Sequence, residues 1–308
     1  MHELRGTAIF GASMERASGS VSGVGVGLRL EFFDALMAQR PGQIRWLEVH
    51  PENYVRRGGR FIEVLGEAQK HWPIVTHGLT TALGSIEPFE RDYVRDLGVF
   101  LRGVGTPWHS EHLCWGGTDG SFVHDLMPLP FNEEAIAIAS SRLRELRDSV
   151  ELPIALENIS YYTPSELSTI DMGEVEFLNE VLERSDAKLL LDVNNVYVNS
   201  KNFGFDAFEW IDRMPAERVV QIHVAGHWTR DDGLRIDTHA EPVCDDVYTL
   251  LEHTLRRTGP VPVLLERDGK YPPFEELLAE VDRLTLVYDR ATASERRMAE
   301  PIVMEGAR

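Results

Sequence analysis

Cysteine is scarce in this 308-residue chain: Cys114 and Cys244 stand far apart, in neither a zinc-binding nor a thioredoxin-like spacing. That excludes a disulfide-stapled scaffold and suits a reducing cytoplasm. No apolar run approaches the ~18 residues a membrane span needs, and the first twenty residues hold no continuous apolar stretch of the secretory kind. Basic residues are few, 31 against 50 acidic, for a net charge of −19 with histidine neutral. A nucleic-acid binder needs a basic footprint to displace counterions from phosphate, and none is present. No glycine-rich phosphate fingerprint follows the first strand, no lysine stands at an obvious strand end, and no linker divides the chain.

What remains is a globular composition, 43% apolar, with short apolar runs alternating with amphipathic segments. The runs are Val24–Leu30, Ile44–His50, Pro73–His77, Gly105–Leu113, Pro153–Asn158, Lys188–Val193, Arg218–Val224 and Val261–Glu266. Helices are predicted over Glu31–Gln39, Phe61–His71, Pro88–Gly98, Asn132–Val150, Asp171–Arg184, Asp206–Met214, Asp245–Arg257 and Pro273–Tyr288. Asn132 reads as the cap of its helix, and CWGGTDGSFVHDLMPLP before it as a long loop. Strands that read as runs rather than alternations are buried on both faces, so the pattern predicts an α/β fold, a single (β/α)8 TIM barrel. The barrel is expected over residues 23–288, between a flexible N-terminal arm (1–22) and a polar, frayed C-terminal tail (289–308).

In such a barrel the C-terminal strand ends face the active-site mouth. Here they are His50, His77, His112, Glu157, Asp192, His223 and Glu266, so that nearly every strand after the first finishes on a potential metal ligand. Carboxylates crowded on one rim repel one another unless cations or protons neutralise them. The stretch Gln221–Glu241 adds Asp237 and His239, whose side chains two apart in an extended segment can reach one ion. Glu157, Asp192, Asp237 and Glu266 supply negative charge for two divalent ions; a third would leave surplus positive charge for a hydroxide or thiolate to balance. Imidazole and carboxylate ligands without thiolates suit iron, manganese or zinc.

The strings THGLT, SEHLCW, LENIS, LLDVNN, QIHVAG, DTH and LLERD, in this order from about Gly23 to Asp268, resemble the multinuclear non-haem iron-dependent oxidases, the family that includes the methanobactin-forming oxidase. The resemblance implies a xylose-isomerase-like barrel that uses dioxygen to modify cysteine residues of a ribosomally synthesised precursor peptide, usually with a small partner protein that delivers it. It implies that His77, His112 and Glu157 hold one iron. Glu157, Asp192, His223 and Glu266 would hold a second, with Glu157 bridging, and Asn195, Asp237 and His239 a third. Those residues of the second set are the implied catalytic group. Two or three irons of mixed Fe(II)/Fe(III) valence are implied, with a ferric ion taking the substrate sulfur as a thiolate while a ferrous neighbour reduces dioxygen.

The same layout resembles endonuclease IV and the sugar-isomerase barrels, where a histidine is expected in place of Asn195; an amide is a weaker, neutral ligand. His50, His109 and Glu111 read as groups that orient ligands or line the pocket, and Glu52, Asn53 and Tyr54 as shaping the mouth. Cys114 reads as a buried inert thiol, and Trp115, Trp228 and Arg235 stand on mouth loops where they contact a peptide or simply pack. Two other readings stay open on the residues alone: a zinc- or manganese-dependent hydrolase or sugar isomerase, and a non-catalytic metal-binding protein.

Overall fold

Eight strands close into a parallel barrel in the computed structural model, which describes residues 20–118, 121–162 and 171–299. The expected arm lies almost wholly outside the described residues, as does the end of the expected tail, 300–308. In chain order the strands are β1 (Val24–Gly27), β2 (Leu47–Val49), β3 (Ile74–Gly78), β4 (His109–His112), β5 (Trp115–Thr118), β6 (Ser121–Met127), β7 (Ile154–Glu157), β8 (Lys188–Asp192), β9 (Val219–Val224), β10 (Trp228–Thr229), β11 (Arg235–Ile236) and β12 (Val263–Leu265). The barrel runs β1-β12-β9-β8-β7-β4-β3-β2. The other four strands form two antiparallel pairs, β5 with β6 and β10 with β11. Every barrel strand but β3 is shorter than its apolar run, because the ends of those runs serve as connections; β3 is shifted by one residue, to Ile74–Gly78.

The helices are α1 (Leu30–Gln39), α2 (Arg60–Ala68), α3 (Arg91–Val104), α4 (Glu133–Val150), α5 (Glu174–Ser185), α6 (Val193–Phe203), α7 (Ala207–Asp212), α8 (Asp245–Thr258) and α9 (Phe274–Ala299). Asn132 caps α4 as expected, accepting from the Ala135 amide at 2.9 Å, a contact worth about 1 kcal/mol. Three features depart from the sequence reading. The expected loop after β4 contains the β5–β6 pair. The last helix continues past Asp289 to Ala299, where a frayed tail was expected. Helix α6 starts directly after β8, although VNNVYVNSKNF is poor in helix formers; Val193 through Ser200 are all buried, and packing overrides propensity. None of the helices among the described residues is long and apolar enough to cross a membrane.

Inside the barrel, Trp46, Val75 and Leu264 pack as a separate apolar layer beneath the mouth. A Cβ on Gly25 would lie 2.5 Å from the Trp46 ring, so only glycine leaves room for the indole. The larger core lies between the barrel and its helices.

On the flank, Glu174 at the start of α5 accepts from Trp210 Nε1 at 3.0 Å and Tyr161 OH at 3.3 Å. Burial pushes its carboxyl up from 4.5 to about 7. Between those values the unfolded chain ionises and the folded chain does not, so stability falls as pH rises through that window. Glu174→Gln keeps an acceptor and removes the ionisation. Its unfolding midpoint should exceed the parent's by ~3 °C at pH 8, on the order of 1 kcal/mol for a half-buried group, and match it near pH 4. Equal midpoints at both pH values in calorimetry would contradict this account of the flank.

Candidate metal centre

Parallel register decides which side chains meet. Asp192 pairs with His223, Glu157 with Leu190, His112 with Glu157, and His77 with Ser110, so these residues project to one face, into the barrel. They stand at or near the C-terminal ends of their strands and converge at the mouth.

Glu157 is the centre. Its Oε2 lies 3.1 Å from His77 Nε2 and 3.2 Å from His112 Nε2, and its Oε1 lies 3.4 Å from His223 Nδ1. His223 Nδ1 is also 3.0 Å from Glu266 Oε2. Donor atoms of His77, His112 and Glu157 lie within 4.8 Å of one another, and so do those of Glu157, Asp192, His223 and Glu266. Glu157 belongs to both groups. A third such group contains His239, Glu266 and Asp268.

The residues expected to hold a third ion are arranged differently from the simple expectation. Asp237 and His239 do meet, Oδ1 to Nε2, at 2.8 Å. His239 has φ of +48°, a left-handed conformation uncommon outside glycine. The amide that touches Asp237 is Asn194, donating from Nδ2 at 2.6 Å, while His227 is bonded to Asn194 Oδ1 at 2.9 Å. Asn195 donates from Nδ2 to Asn158 O at 3.0 Å, and its Oδ1 is buried without a hydrogen-bond partner.

That orphaned oxygen has company. Glu157 Oε2, Asp192 Oδ2, His223 Nδ1, His239 Nε2 and Glu266 Oε2 are likewise buried without a hydrogen bond of acceptable geometry. A buried polar atom left this way costs about 1–3 kcal/mol, so a cluster of them is expensive unless something else satisfies them. All are lone-pair donors on oxygen or imidazole nitrogen, the set that fits divalent iron, manganese or zinc.

Electrostatics in the metal-free chain point the same way. Burial works to raise the Glu157 carboxyl, but the imidazoles of His112, His77 and His223 hold it well below the usual carboxylate range. His77 is raised from 6.5 to about 9: burial opposes this, and Glu157 and Glu48 overcome it. His223 and His239 are raised well above 6.5 against burial, by Glu48 and Glu266 in the first case and by Asp237 and Glu266 in the second. Burial drives Asp192 well above the ordinary value, with Asp237 and Glu157 adding repulsion. Protons thus substitute for the positive charge that the carboxylates require.

The neighbouring residues refine the sequence reading. His109 and Glu111 bond each other at 3.0 Å, but they pair with Thr76 and Gly78 on the outer face of the sheet, so they do not line the pocket. A Cβ on Gly78 would lie 2.0 Å from the Glu111 carboxylate. Glu52 accepts from the Leu79 and Thr80 amides and so holds the loop after β3, with Asn53 in the short turn Pro51–Asn53 beside it. Tyr54 is buried and stacked on Phe100 at 5.6 Å, part of the core rather than the mouth. Cys114 is buried, and burial together with Glu111 and Glu157 pushes its thiol up to about 12, which makes it inert. Trp115 is partly buried against the core, Arg235 lies over the Tyr197 ring at 5.6 Å, and Trp228 is 49% exposed on its hairpin.

Sequence reasoning missed Glu48, Ser110, Gln221 and Asp268. Glu48 Oε2 accepts from Gln221 Nε2 at 2.6 Å and lies 3.3 Å from His223 Nε2. Ser110 Oγ lies 2.9 Å from His77 Nδ1. The period of two contained the signal: each stands two residues from a strand-end ligand candidate and therefore on the same face.

Comparison with known proteins gives the fold and the family. A UPF0276 protein of Pseudomonas aeruginosa is 42% identical over 279 residues, covering 90% of this chain and 96% of its own. One from Caulobacter vibrioides is 39% identical over 260 residues, covering 84% and 92%. Among solved structures, a xylose isomerase domain protein from Planctomyces limnophilus superposes with a TM-score of 0.56 at 16% identity, over 90% of this chain and all (100%) of that one. An L-ribulose 3-epimerase gives 0.54 at 11% identity, over 94% and 100%. These two likenesses are of fold: a xylose-isomerase-like TIM barrel. The match that reaches the site is to the RiPP precursor modification enzymes MbnB/TglH/ChrH, over residues 23–289, which takes in every strand of the barrel and every candidate ligand, and the chain belongs to that family.

Proposed function

We propose that this protein is a multinuclear iron-dependent oxidase that uses dioxygen to modify cysteine residues of a ribosomally synthesised precursor peptide. The observation that carries it is the placement of Glu157, whose two oxygens face the His77/His112 pair on one side and His223 on the other. A carboxylate so placed suits a bridge between two ions. His77, His112 and Glu157 would hold one; Glu157, Asp192, His223 and Glu266 a second; Asn195, Asp237 and His239 a third. When bound, the irons supply Lewis acidity toward a substrate thiol and electrons for dioxygen reduction.

The chain's own residues do the rest. Cys114, protonated and buried, does not compete with the substrate thiol for metal. Tyr162, whose hydroxyl accepts from the Asp237 amide at 2.9 Å, and Trp228 are exposed apolar surfaces beside the site, fit to contact a peptide. The barrel layer of Trp46, Val75 and Leu264 closes the site from below against water. A small partner protein delivers the peptide in this reading.

Protein made in iron-rich medium and purified without oxygen should contain two or three irons per chain, with a coupled ferrous/ferric pair in the Mössbauer spectrum. Stoichiometric zinc or manganese that iron cannot replace would favour a hydrolase or isomerase on the same barrel.

A further inference from the structure

Arg29 lies just beyond β1, at the first residue of the β1–α1 connection that can reach across the mouth. Its side chain is 13% exposed, and its Nη2 makes two contacts: it donates to Asp268 Oδ1 at 2.6 Å and lies 3.2 Å from His50 Nε2. A guanidinium only donates, so His50 must accept at Nε2 and carry its proton on Nδ1. That proton is donated to His77 O at 3.0 Å. On the other side, Asp268 Oδ2 lies 3.3 Å from His239 Nδ1. A neutral imidazole has one N–H and one lone pair. With the N–H on Nδ1 given to Asp268, the lone pair falls on Nε2, which faces Asp237 Oδ1 at 2.8 Å without a hydrogen bond of acceptable geometry, two acceptors that a cation between them would satisfy.

Gly27 supplies a second, independent observation. It pairs with Glu48 and shares its inward face. A Cβ there would lie 2.6 Å from Arg29 Nη1, so the absence of a side chain at this position is what lets the guanidinium fold over the barrel mouth.

We propose that Arg29 is a positioning residue of the metal centre, which through Asp268 fixes His239 with Nε2 turned to the metals and through His50 fixes the backbone at His77. Asp268 is then a hydrogen-bond acceptor behind a ligand, with both oxygens already engaged, although it groups with His239 and Glu266 by distance. Partners of this kind set the tautomer and ring orientation of a ligating histidine, and their loss weakens metal binding by about 10–100-fold. The inference rests on the metal-centre reading above.

The test titrates metal-free protein anaerobically with ferrous iron alone, and with cobalt(II) for its d–d absorption, in the parent, Asp268→Asn, Arg29→Leu, Arg29→Lys and Gly27→Ala. Gly27 has no positive φ, so alanine fits the backbone and meets only the guanidinium end of Arg29. Asp268→Asn, Arg29→Leu and Gly27→Ala should each weaken the last ion bound by ~10-fold or more and change its cobalt spectrum, with the melting temperature of the metal-free protein held. Arg29→Lys should recover part of the affinity. Unchanged affinity for every ion in Asp268→Asn and Gly27→Ala would overturn the proposal while leaving the metal centre standing. Outright loss of one ion in Asp268→Asn, with Gly27→Ala and Arg29→Leu unaffected, would overturn it too, since Asp268 would then be a ligand. A parent chain that binds neither metal would overturn the metal-centre reading and this inference with it.

Discussion

Glu157→Gln should strip metal from two positions at once and reduce peptide oxidation by at least ~10²-fold, the scale seen when a charged group at a reacting centre is neutralised. The substitution keeps shape and removes charge. One oxygen of Glu157 faces His77 and His112, the other faces His223, so an amide in its place turns an NH2 donor toward at least one set of ligating nitrogens. Asp192→Asn is the contrast. Asp192 belongs to one of the two groups, the one without His77 and His112, so its loss should leave the ion at the His77/His112 end in place. Metal analysis and Mössbauer spectra of the two variants give the comparison: Glu157→Gln with at most one iron per chain, Asp192→Asn with one fewer than the parent. Full iron and full turnover in Glu157→Gln would end the bridging assignment.

The metal-free form of Glu157→Gln should also report on His77. Its imidazole is raised to about 9 chiefly because Glu157 and Glu48 outweigh burial. With Glu157 neutralised, the His77 ring should titrate lower by NMR, toward its ordinary value.

The barrel was legible because buried parallel strands must be continuous apolar runs, and eight such runs alternate with helical patterns. The rim was legible for a related reason: a strand that is apolar along its length and ends on His, Glu or Asp announces that the last residue faces something other than core. His77, His112, Glu157, Asp192, His223 and Glu266 all come together as that reasoning expects. Glu48 and Gln221 escaped because they sit inside strands, where a run of neighbours conceals a single polar residue facing inward. Helix α6 escaped because its Asn- and Val-rich sequence opposes its conformation, and only the buried side chains Val193–Ser200 hold it. His109 and Glu111 were misread for want of one parity. They lie in the same strand as His112, but an odd step from it turns a side chain to the opposite face. The contact between Asn194 and Asp237 spans 43 residues and depends on a turn at the start of α6 that Asp192 creates by accepting from the Asn195 amide at 2.7 Å. No spacing rule reaches that far.

Chelation should lower the unfolding midpoint by on the order of 15 °C and reverse the dependence of stability on pH. The size follows from linkage: an ion present at a thousand times its dissociation constant stabilises by about 4 kcal/mol, and at least two are expected. The sign needs the pKa shifts. In the metal-free chain His77 is raised from 6.5 to about 9, and His223 and His239 are raised as well. A raised histidine contributes stability that is complete below 6.5 and disappears as pH climbs through the folded-state value. Glu157 and Glu266 are depressed, so their contribution is present above 4.5 and lost in acid. These groups together make the metal-free protein more stable in weak acid than at pH 9: the raised Asp192 loses its contribution as pH climbs, and His77 deprotonates and leaves the carboxylates facing one another. In the loaded protein the metals carry the positive charge that the protons carried, and ligating histidines are deprotonated already. Its stability should hold from neutrality to pH 9 and fall below about pH 6.5, where protons compete for the ligands. Thermal unfolding across this range, with and without chelator, thus measures one property twice with opposite slopes. Parallel slopes would mean that the buried charges are settled by protons alone and that the six orphaned donor atoms have no metal to answer to.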